Sequence, residues 1–253
     1  MAENTLPEMD LEVWKTRAGE ELRFWDRWVE AGGGQWPEDF EQRANPATPL
    51  KESVRELLDR LEIARDRAAE ILDIGSGPLS VLGYGCPDRA VNLTLVDPLA
   101  EAYNSTLDRA GISGLPRPVT GYFETALGLL GGNRFDIVWC RNALDHSMDP
   151  LLGLYNLIGL CRPGGGLILS FHPDEADGGG YHGLHQWNLR LEGERLVLSQ
   201  KDRALDLTPL IAMQEVLSIH QAGSSQDDKG MVTIKLRKTR DPNLSQAMLL
   251  AQG

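Results

Sequence analysis

Two carboxylates and a glycine turn form one group of residues in this sequence that could bind a ligand. Asp73 lies in an apolar run that ends in the turn Gly75-Ser76-Gly77, and a second apolar run ends at Asp97. Glycine permits a tight turn and a close approach of a ligand to the backbone. An acidic residue about 20 positions beyond such a turn can accept hydrogen bonds from both hydroxyls of a ribose. This spacing predicts a nucleotide-like cofactor at the end of the first strand.

Histidines form a second group with chemical potential, and four of the five lie between positions 146 and 185. His146 follows Asp145 just after a predicted strand, whereas His182 and His185 lie in a glycine-rich segment after the next one. The ordinary histidine pKa of about 6.5 suits a general base at neutral pH. We therefore predict a catalytic proton acceptor among His146, His182 and His185, with His146 placed first. Alternatively, His146 caps the following helix or orders its loop.

The glycine-rich segment, between Gly178 and Asn188, also carries groups that could hold an acceptor molecule. Glycine allows a loop to move, and the histidine, glutamine, tryptophan and asparagine side chains offer hydrogen bonds and an aromatic surface. Loop tips have similar compositions where they carry no function. The acceptor-binding residues predicted from this segment, its neighbours and the N-terminal region are Trp25, Asn142, His172 and Trp187.

A divalent metal is the alternative ligand for the same part of the chain. Imidazole and carboxylate side chains are common metal ligands in proteins. The candidates here are His172, Asp174, Glu175, His182 and His185. Their spacing matches no defined metal motif. The prediction is therefore a site without a metal, and the metal site stays open as the alternative.

The elements that must position these groups alternate between strand and helix. Strands are predicted near 71–74, 92–96, 116–119, 135–140 and 166–171, with helices near 79–84, 99–110, 123–131 and 149–161. Such alternation indicates right-handed crossovers and a parallel sheet covered on both faces. A hairpin at 187–200 and two strands near 213–221 and 230–238, joined by a polar loop at 223–229, follow. The predicted fold is α/β: a doubly wound, mostly parallel seven-stranded sheet with an extra β-hairpin after strand five.

The N-terminal region is predicted to be helical and to lie outside the sheet. Apolar residues at helical spacing indicate an amphipathic helix from about Asp10 to Ala31, ended by three glycines. A proline-containing loop then leads to a second helix over 50–63. Four of the six tryptophans lie in the first 36 residues. They either pack this region onto the sheet or form a lid that keeps water from the cleft.

Four ordered motifs resemble those of the class I S-adenosylmethionine-dependent methyltransferases. They are Asp-x-Gly-x-Gly at 73–77, the acidic strand end at Asp97, Phe-Asp-Ile-Val at 135–138 and Arg-Pro-Gly-Gly at 162–165. The resemblance covers roughly residues 50 to 236. Two departures occur: the third glycine of the turn is Leu79, and the usual Gly-Asp-Ala after strand three is replaced by Gly-Tyr-Phe-Glu, so the carboxylate that usually contacts adenine is displaced.

This resemblance implies a Rossmann-like methyltransferase domain that binds S-adenosylmethionine. Gly75 and Gly77 would lie under its methionine portion, Asp97 would accept its ribose hydroxyls, and Leu99 would cover one face of its adenine. The full set of cofactor-binding residues that it implies is Asp73, Gly75, Gly77, Asp97, Pro98, Leu99, Phe123, Glu124, Cys140 and Arg141. The predicted organisation is a lid or cap at 1–49, the methyltransferase domain at 50–240 and a tail at 241–253.

Composition restricts the partners and the location that we predict. A formal net charge of −12 and a pI of about 4.9 disfavour nucleic acid, because phosphate binding needs a basic surface. No apolar run approaches the roughly 20 residues of a membrane span. The N-terminal residues do not resemble a signal peptide, and the three cysteines have no paired spacing. A cytoplasmic protein with no membrane partner is predicted, and the oligomeric state stays open.

The predicted activity is methyl transfer to a hydroxyl of a small molecule, sugar or glycan. An in-line displacement needs alignment of donor and acceptor, and an oxygen acceptor also needs a base. The alternatives are transfer to nitrogen or carboxylate of a small molecule or peptide, and a non-catalytic protein that binds S-adenosylmethionine. A nicotinamide-dependent oxidoreductase fits poorly, because the turn lacks the Gly-x-Gly-x-x-Gly pattern.

Overall fold

The computed structural model of the chain describes residues 9–222, 230–243 and 245. The predicted polar loop at 223–229 and most of the predicted tail at 241–253 lie outside the described residues. The ten strands are β1 Ala69–Ile74, β2 Val91–Asp97, β3 Val119–Thr120, β4 Phe135–Arg141, β5 Cys161–Phe171, β6 Asn188–Glu192, β7 Arg195–Gln200, β8 Arg203–Asp206, β9 Glu215–Gln221 and β10 Val232–Arg237.

Nine α-helices accompany the strands within these described ranges. They are α1 Leu11–Arg17, α2 Gly19–Glu30, α3 Pro37–Ala44, α4 Glu52–Arg60, α5 Ala100–Arg109, α6 Ala126–Leu130, α7 Pro150–Leu160, α8 Glu175–Gly178 and α9 Thr208–Ala212. A single 3-10 turn, Leu144–His146, follows β4. None of the helices in the described part of the chain has the length and apolarity that crossing a bilayer requires.

Seven strands form one sheet in the order β3-β2-β1-β4-β5-β10-β9. The first five are parallel, and β10 runs antiparallel to both β5 and β9. The prediction of a doubly wound, mostly parallel seven-stranded sheet is confirmed. The chain reverses its direction of strand addition between β1 and β4. Open sheets of this kind bind ligands at the carboxyl ends of the strands beside that reversal.

The sheet is buried on both faces, which explains why its central strands are continuous apolar runs. Leu72 and Val138 lie in the larger core, with α6, α7 and the strands β6 and β7, whereas Ile71 and Ile137 lie in the smaller core against α4. Each side chain of this size stabilises the fold by roughly 1.5–3 kcal/mol when fully buried. Alternation along β4 therefore places Arg141, two residues beyond Trp139, on the α4 side of the sheet.

The helix predicted at 79–84 is wrong, and the chain is irregular between β1 and β2. Backbone bonds tie this segment to the residues before α4: Leu50 N–H donates to the Gly85 carbonyl and Lys51 N–H to the Leu82 carbonyl. Gly83 has a φ of +77°, and a Cβ there would lie 2.2 Å from the Pro49 carbonyl oxygen. Long-range backbone pairing has replaced the local helix.

Three further differences concern helices and strands outside the core sheet. The single helix predicted from Asp10 to Ala31 is two helices, α1 and α2, that meet at Ala18. Pro37 begins helix α3 in a region predicted to be a loop, because proline suits the first turn of a helix. The predicted hairpin forms as β6 and β7, but β8 extends it to a three-stranded antiparallel sheet.

Candidate active site

A cleft of about 880 Å³ opens at the carboxyl ends of β1, β2 and β4. The glycine turn after β1 forms its floor. Gly75 has a φ of +71°, and a Cβ at this position would lie 2.3 Å from the Ala143 Cβ. Gly77 has a φ of +63°, and its Cβ would lie 3.3 Å from the Trp25 ring. The positive φ favours glycine at both positions, and at Gly75 the Ala143 side chain also leaves no room for a Cβ.

Asp97 joins the end of β2 to the glycine turn. Its carboxylate accepts hydrogen bonds from the Gly77 N–H at 3.0 Å and the Leu99 N–H at 2.9 Å. Burial raises the pKa of Asp97 to about 6, although both hydrogen bonds oppose that rise. Each carboxylate oxygen has a second lone pair, so Asp97 can still accept hydrogen bonds from a diol in the cleft.

Asp73 is buried at the end of β1 and braces the turn from below. It accepts a hydrogen bond from the Ser80 hydroxyl at 2.6 Å. Burial raises its pKa to about 6, and the Ser80 bond, Arg43 and Arg141 counter part of this effect. The only hydrogen bond to its side chain from the described residues comes from Ser80, so Asp73 also has acceptor capacity left for a cationic group of a ligand.

One end of the cleft has an apolar lining formed by Pro98, Leu99 and Phe123. Glu124 also lines it, but its Oε1 accepts hydrogen bonds from the Met148 and Asp149 N–H groups at 2.7 and 2.9 Å. Burial raises the pKa of Glu124. Glu124 therefore holds the segment before α7 in place, in addition to bordering the cleft.

The N-terminal helices form one wall of the cleft and are also part of the core. Trp14 on α1 is buried, donates its indole N–H to the His146 carbonyl at 2.7 Å, and packs edge-on against Tyr122. Trp25 on α2 faces Gly77 and donates to Glu21 Oε1 at 2.6 Å. The two interpretations of the tryptophans, packing and walling the cleft, therefore apply to the same helices.

Three side chains from two distant segments converge at another wall of the cleft. The 3-10 turn after β4 brings Asp145 and His146 together, and His185 reaches them from the glycine-rich segment. His185 Nδ1 lies 3.1 Å from Asp145 Oδ2 and 3.1 Å from His146 Nε2. His146 Nε2 lies 3.5 Å from the same carboxylate oxygen. A carboxylate at Nδ1 orients an imidazole and leaves its Nε2 available as a base.

The ionisable groups in and beside this cluster have pKa values that are shifted in different directions. The hydrogen bond that His185 donates to the Asp145 carboxylate raises the pKa of His185, against the effect of burial. Burial tends to raise the pKa of Asp145, but the two histidines outweigh it and hold that pKa below its ordinary value. Burial, and then the Asp145 charge, raise the pKa of Glu175 to about 7. The cluster thus favours an Asp145 carboxylate beside a readily protonated His185.

The same three residues could hold a divalent cation. The carboxylate oxygen of Asp145 and one ring nitrogen each of His146 and His185 lie within 4.8 Å of one another. Glu175 Oε2 lies 4.0 Å from His185 Nδ1. Of the five candidates predicted for a metal, only His185 belongs to this cluster, and Glu175 lies beside it. A hydrogen-bonded cluster and a metal site would have the same geometry, so an experiment with a chelator is needed to distinguish them.

The structure brings most of the predicted site residues to the cleft. Asp73, Gly75, Gly77, Asp97, Pro98, Leu99, Phe123, Glu124, Arg141, Trp25, Asn142, His146, His172 and His185 all line it. Asn142 has a φ of +49° and accepts a hydrogen bond from the His172 N–H, which fixes the turn after β4.

Three predicted site residues lie elsewhere. His182 is exposed and outside the cleft. Trp187 is 1% exposed, donates to the Ser147 carbonyl at 2.9 Å and packs in the larger core, so it cannot contact an acceptor in the cleft. Cys140 was predicted to contact the cofactor through its backbone; it is not among the residues that line the cleft, and its side chain is buried in that core. Side chains alternate along β4, so the Cys140 side chain points to the opposite face of the sheet from Trp139 and Arg141, which line the cleft.

Several cleft residues were not predicted from the sequence. Trp14, Arg43 and Trp139 line the cleft along with the predicted set. Arg43 was placed in a loop, whereas it lies on α3 with its guanidinium 5.6 Å from the Trp25 ring centre. Trp139 lies within an apolar strand, where a tryptophan gives no indication of which face meets a cleft. Helical spacing near Arg43 was the one signal that could have revealed its position.

Comparisons with known proteins place this fold. Neither a protein-family model nor a curated protein matches the sequence. A solved structure of the CurJ carbon methyltransferase matches with a TM-score of 0.50 and 14% identity, over 74% of this chain and 52% of CurJ. The chain thus spans about half the length of that structure.

Two further solved structures are similar at lower TM-scores. One is the 1,6-didemethyltoxoflavin-N1-methyltransferase of Burkholderia thailandensis, with a TM-score of 0.49, 17% identity and 93% coverage of each chain. The other is the N-methyltransferase NodS of Bradyrhizobium japonicum WM9, with a TM-score of 0.47, 15% identity and coverage of 74% of this chain and 87% of NodS. Both hold S-adenosylhomocysteine.

The strand order and the match to the CurJ structure together identify the fold. Five parallel strands continue into an antiparallel pair, and the cleft lies at the carboxyl ends beside the reversal of strand order. The chain therefore has the fold of the class I S-adenosylmethionine-dependent methyltransferases.

Proposed function

We propose that the protein is an S-adenosylmethionine-dependent methyltransferase that methylates a hydroxyl of a small molecule, sugar or glycan. The observation that carries this proposal is the pairing of two sites in one cleft. The glycine turn and Asp97 provide a nucleoside site, and the Asp145–His146–His185 cluster provides a base. An acceptor that loses a proton needs the second site, whereas a binding protein does not.

The residues of the first site fit S-adenosylmethionine. Asp97 has free lone pairs for the ribose hydroxyls, and Leu99 and Phe123 provide apolar surface for the adenine. Gly75 and Gly77 let the methionine portion approach the backbone. Asp73 would pair with the ammonium group of that methionine portion. The bound molecule supplies an activated methyl group on a positively charged sulfur, ready for in-line transfer.

The second site fits removal of a proton from a hydroxyl. Asp145 holds Nδ1 of His185, which leaves Nε2 of His185 to accept the proton of the acceptor. The sequence favoured His146 as the base, but its Nε2 is occupied by the contact with His185 Nδ1. We therefore assign proton acceptance to His185 and a supporting role to His146. The Trp14 and Trp25 wall excludes water from the reacting atoms.

Histidine variants test this assignment. We expect His185→Ala to lower turnover by roughly 10²-fold or more, because a positioned base contributes about 10²–10⁴-fold. Cofactor affinity should stay near the wild-type value. His182→Ala is the matched control, since His182 lies outside the cleft. Turnover is measured with labelled S-adenosylmethionine against a panel of hydroxyl, amine and carboxylate acceptors, with product mass spectrometry.

The same assay separates the alternatives. Methylation of amines alone, with His185→Ala unchanged, would favour the nitrogen methyltransferase, because an unprotonated amine needs no base. Loss of turnover on chelation, restored by a divalent metal, would show that Asp145, His146 and His185 act as ligands. Cofactor binding without any methylated product across the panel would favour a non-catalytic binding protein.

A further inference from the structure

Arg141 is a cation in the cleft without a counter-charge in contact. It ends β4, is half-buried and lines the cleft. Among the described residues, none forms an ion pair or a hydrogen bond with its guanidinium. Burial and the nearby Arg43 charge lower its pKa, with Asp39 and Asp73 acting in the opposite direction. Leaving such a group unpaired is costly, because burial removes its hydration.

Lys51 is a second cation nearby, although it is not among the residues that line the cleft. It lies just before α4, on the side of the sheet that Arg141 faces, and is also half-buried. Burial lowers its pKa, and the charges of Arg141 and Arg43 lower it further. Asp39 is already bound to Arg43 at 2.8 Å. The positive charge of Arg141 and Lys51 therefore has no direct acidic partner in the described part of the chain.

Trp139 provides an independent observation at this place. It is 5% exposed, lines the cleft, and its buried indole N–H has no hydrogen-bond partner among the described atoms. Trp139 and Arg141 lie two residues apart on β4 and so share one face of the sheet. The cleft therefore brings the Arg141 cation together with a neutral donor. A buried donor without an acceptor destabilises the protein, so a ligand that accepts hydrogen bonds would remove that cost.

We propose that Arg141 and Trp139 form a carboxylate-binding site in the cleft. A planar carboxylate can accept two hydrogen bonds from a guanidinium, and an indole donor can complete the site. The inference rests on the proposed function, which supplies two sources of a carboxylate. One is the methionine portion of the cofactor, whose ammonium group would lie near Asp73. The other is an acidic group of the acceptor.

Calorimetry with two nucleosides tests the first source. S-adenosylhomocysteine carries the carboxylate, whereas 5′-methylthioadenosine has the same nucleoside and lacks the amino-acid portion. We expect Arg141→Met to weaken S-adenosylhomocysteine about tenfold or more and to leave methylthioadenosine unchanged. Arg141→Lys should recover part of the loss. Arg27→Met is the matched control, because Arg27 is exposed and its removal changes the net charge equally.

Benzoate tests the second source in protein saturated with S-adenosylhomocysteine. If the acceptor brings the carboxylate, millimolar benzoate should raise the melting temperature of the wild type and of Arg27→Met, but not of Arg141→Met. Benzamide, its uncharged analogue, should have no effect on any of them. A result in either arm supports the site and identifies the source.

Two results would overturn the carboxylate site. One is that Arg141→Met binds S-adenosylhomocysteine and benzoate as the wild type does. The other is an equal loss of S-adenosylhomocysteine and methylthioadenosine in that variant, which would show a general change of the cleft. Failure of the proposed function has a separate signature, since the wild type would then bind neither nucleoside. The benzoate measurement on the wild type, Arg27→Met and Arg141→Met would then be made without nucleoside, and it would still test Arg141.

Discussion

The two halves of the cleft differ in how completely their polar groups are satisfied. In the nucleoside half, both oxygens of Asp97 accept backbone hydrogen bonds, and Asp73 is bonded to Ser80. In the acceptor half, buried Asp145 Oδ1 and Glu175 Oε2 have no hydrogen-bond partner among the described atoms. Unsatisfied buried groups are uncommon in folded proteins. The difference indicates that the backbone pre-organises the nucleoside half, whereas a ligand completes the acceptor half.

The largest expected effect tests the pre-organised half. Asp97→Ala should weaken S-adenosylhomocysteine by roughly 10²-fold or more, because two hydrogen bonds to a charged group are worth roughly 1.5–3 kcal/mol each. Asp97→Asn keeps the shape and one acceptor oxygen, so its loss should be smaller. Asp202→Ala, at an exposed carboxylate outside this cleft, serves as the control. Calorimetry that gives wild-type affinity for a folded Asp97→Ala variant would refute the nucleoside site.

The second effect tests the acceptor half through its pH dependence. A raised pKa means that His185 stays protonated to a higher pH than an ordinary histidine, and a protonated imidazole cannot accept a proton. The wild-type rate should rise with pH through an inflection above the ordinary histidine value of about 6.5. Asp145→Asn removes the main cause of the rise, so the inflection should move to lower pH.

Turnover in that variant should also fall, by roughly 10²-fold, because the imidazole loses its orientation. The pH–rate profile and the S-adenosylhomocysteine affinity are measured on the same preparation. An unchanged inflection in Asp145→Asn would mean that His185 is not the proton acceptor. Weakened cofactor affinity would instead show that the two halves are not independent.

The smallest effect concerns the N-terminal wall that spans both halves. Trp14→Phe keeps an aromatic ring and removes the hydrogen bond to the His146 carbonyl. We expect a loss of about 1 kcal/mol in the free energy of unfolding. Trp36→Phe is the control, because Trp36 is 53% exposed. Equal denaturant midpoints for the two variants would remove the proposed tie between α1 and the acceptor half.

The nucleoside half could be predicted from the sequence because its determinants are local. The apolar runs of β1 and β2, the glycine turn and Asp97 lie within about 30 consecutive residues, and each has a short-range pattern. The same patterns predicted the mostly parallel sheet. Local patterns failed at 79–84, where backbone bonds to residues near Pro49 replaced a helix.

The acceptor half was decided by tertiary structure. His185 meets Asp145 only because the chain after β5 returns over the 3-10 turn, and no spacing in the sequence encodes a contact across 40 positions. The same path buries Trp187 and leaves His182 exposed, although both belong to one glycine-rich segment. The sequence alone determined the sheet and the glycine turn that we propose to bind a nucleoside, since these depend on local patterns. Which histidine and which cation face the cleft depended on packing between distant segments.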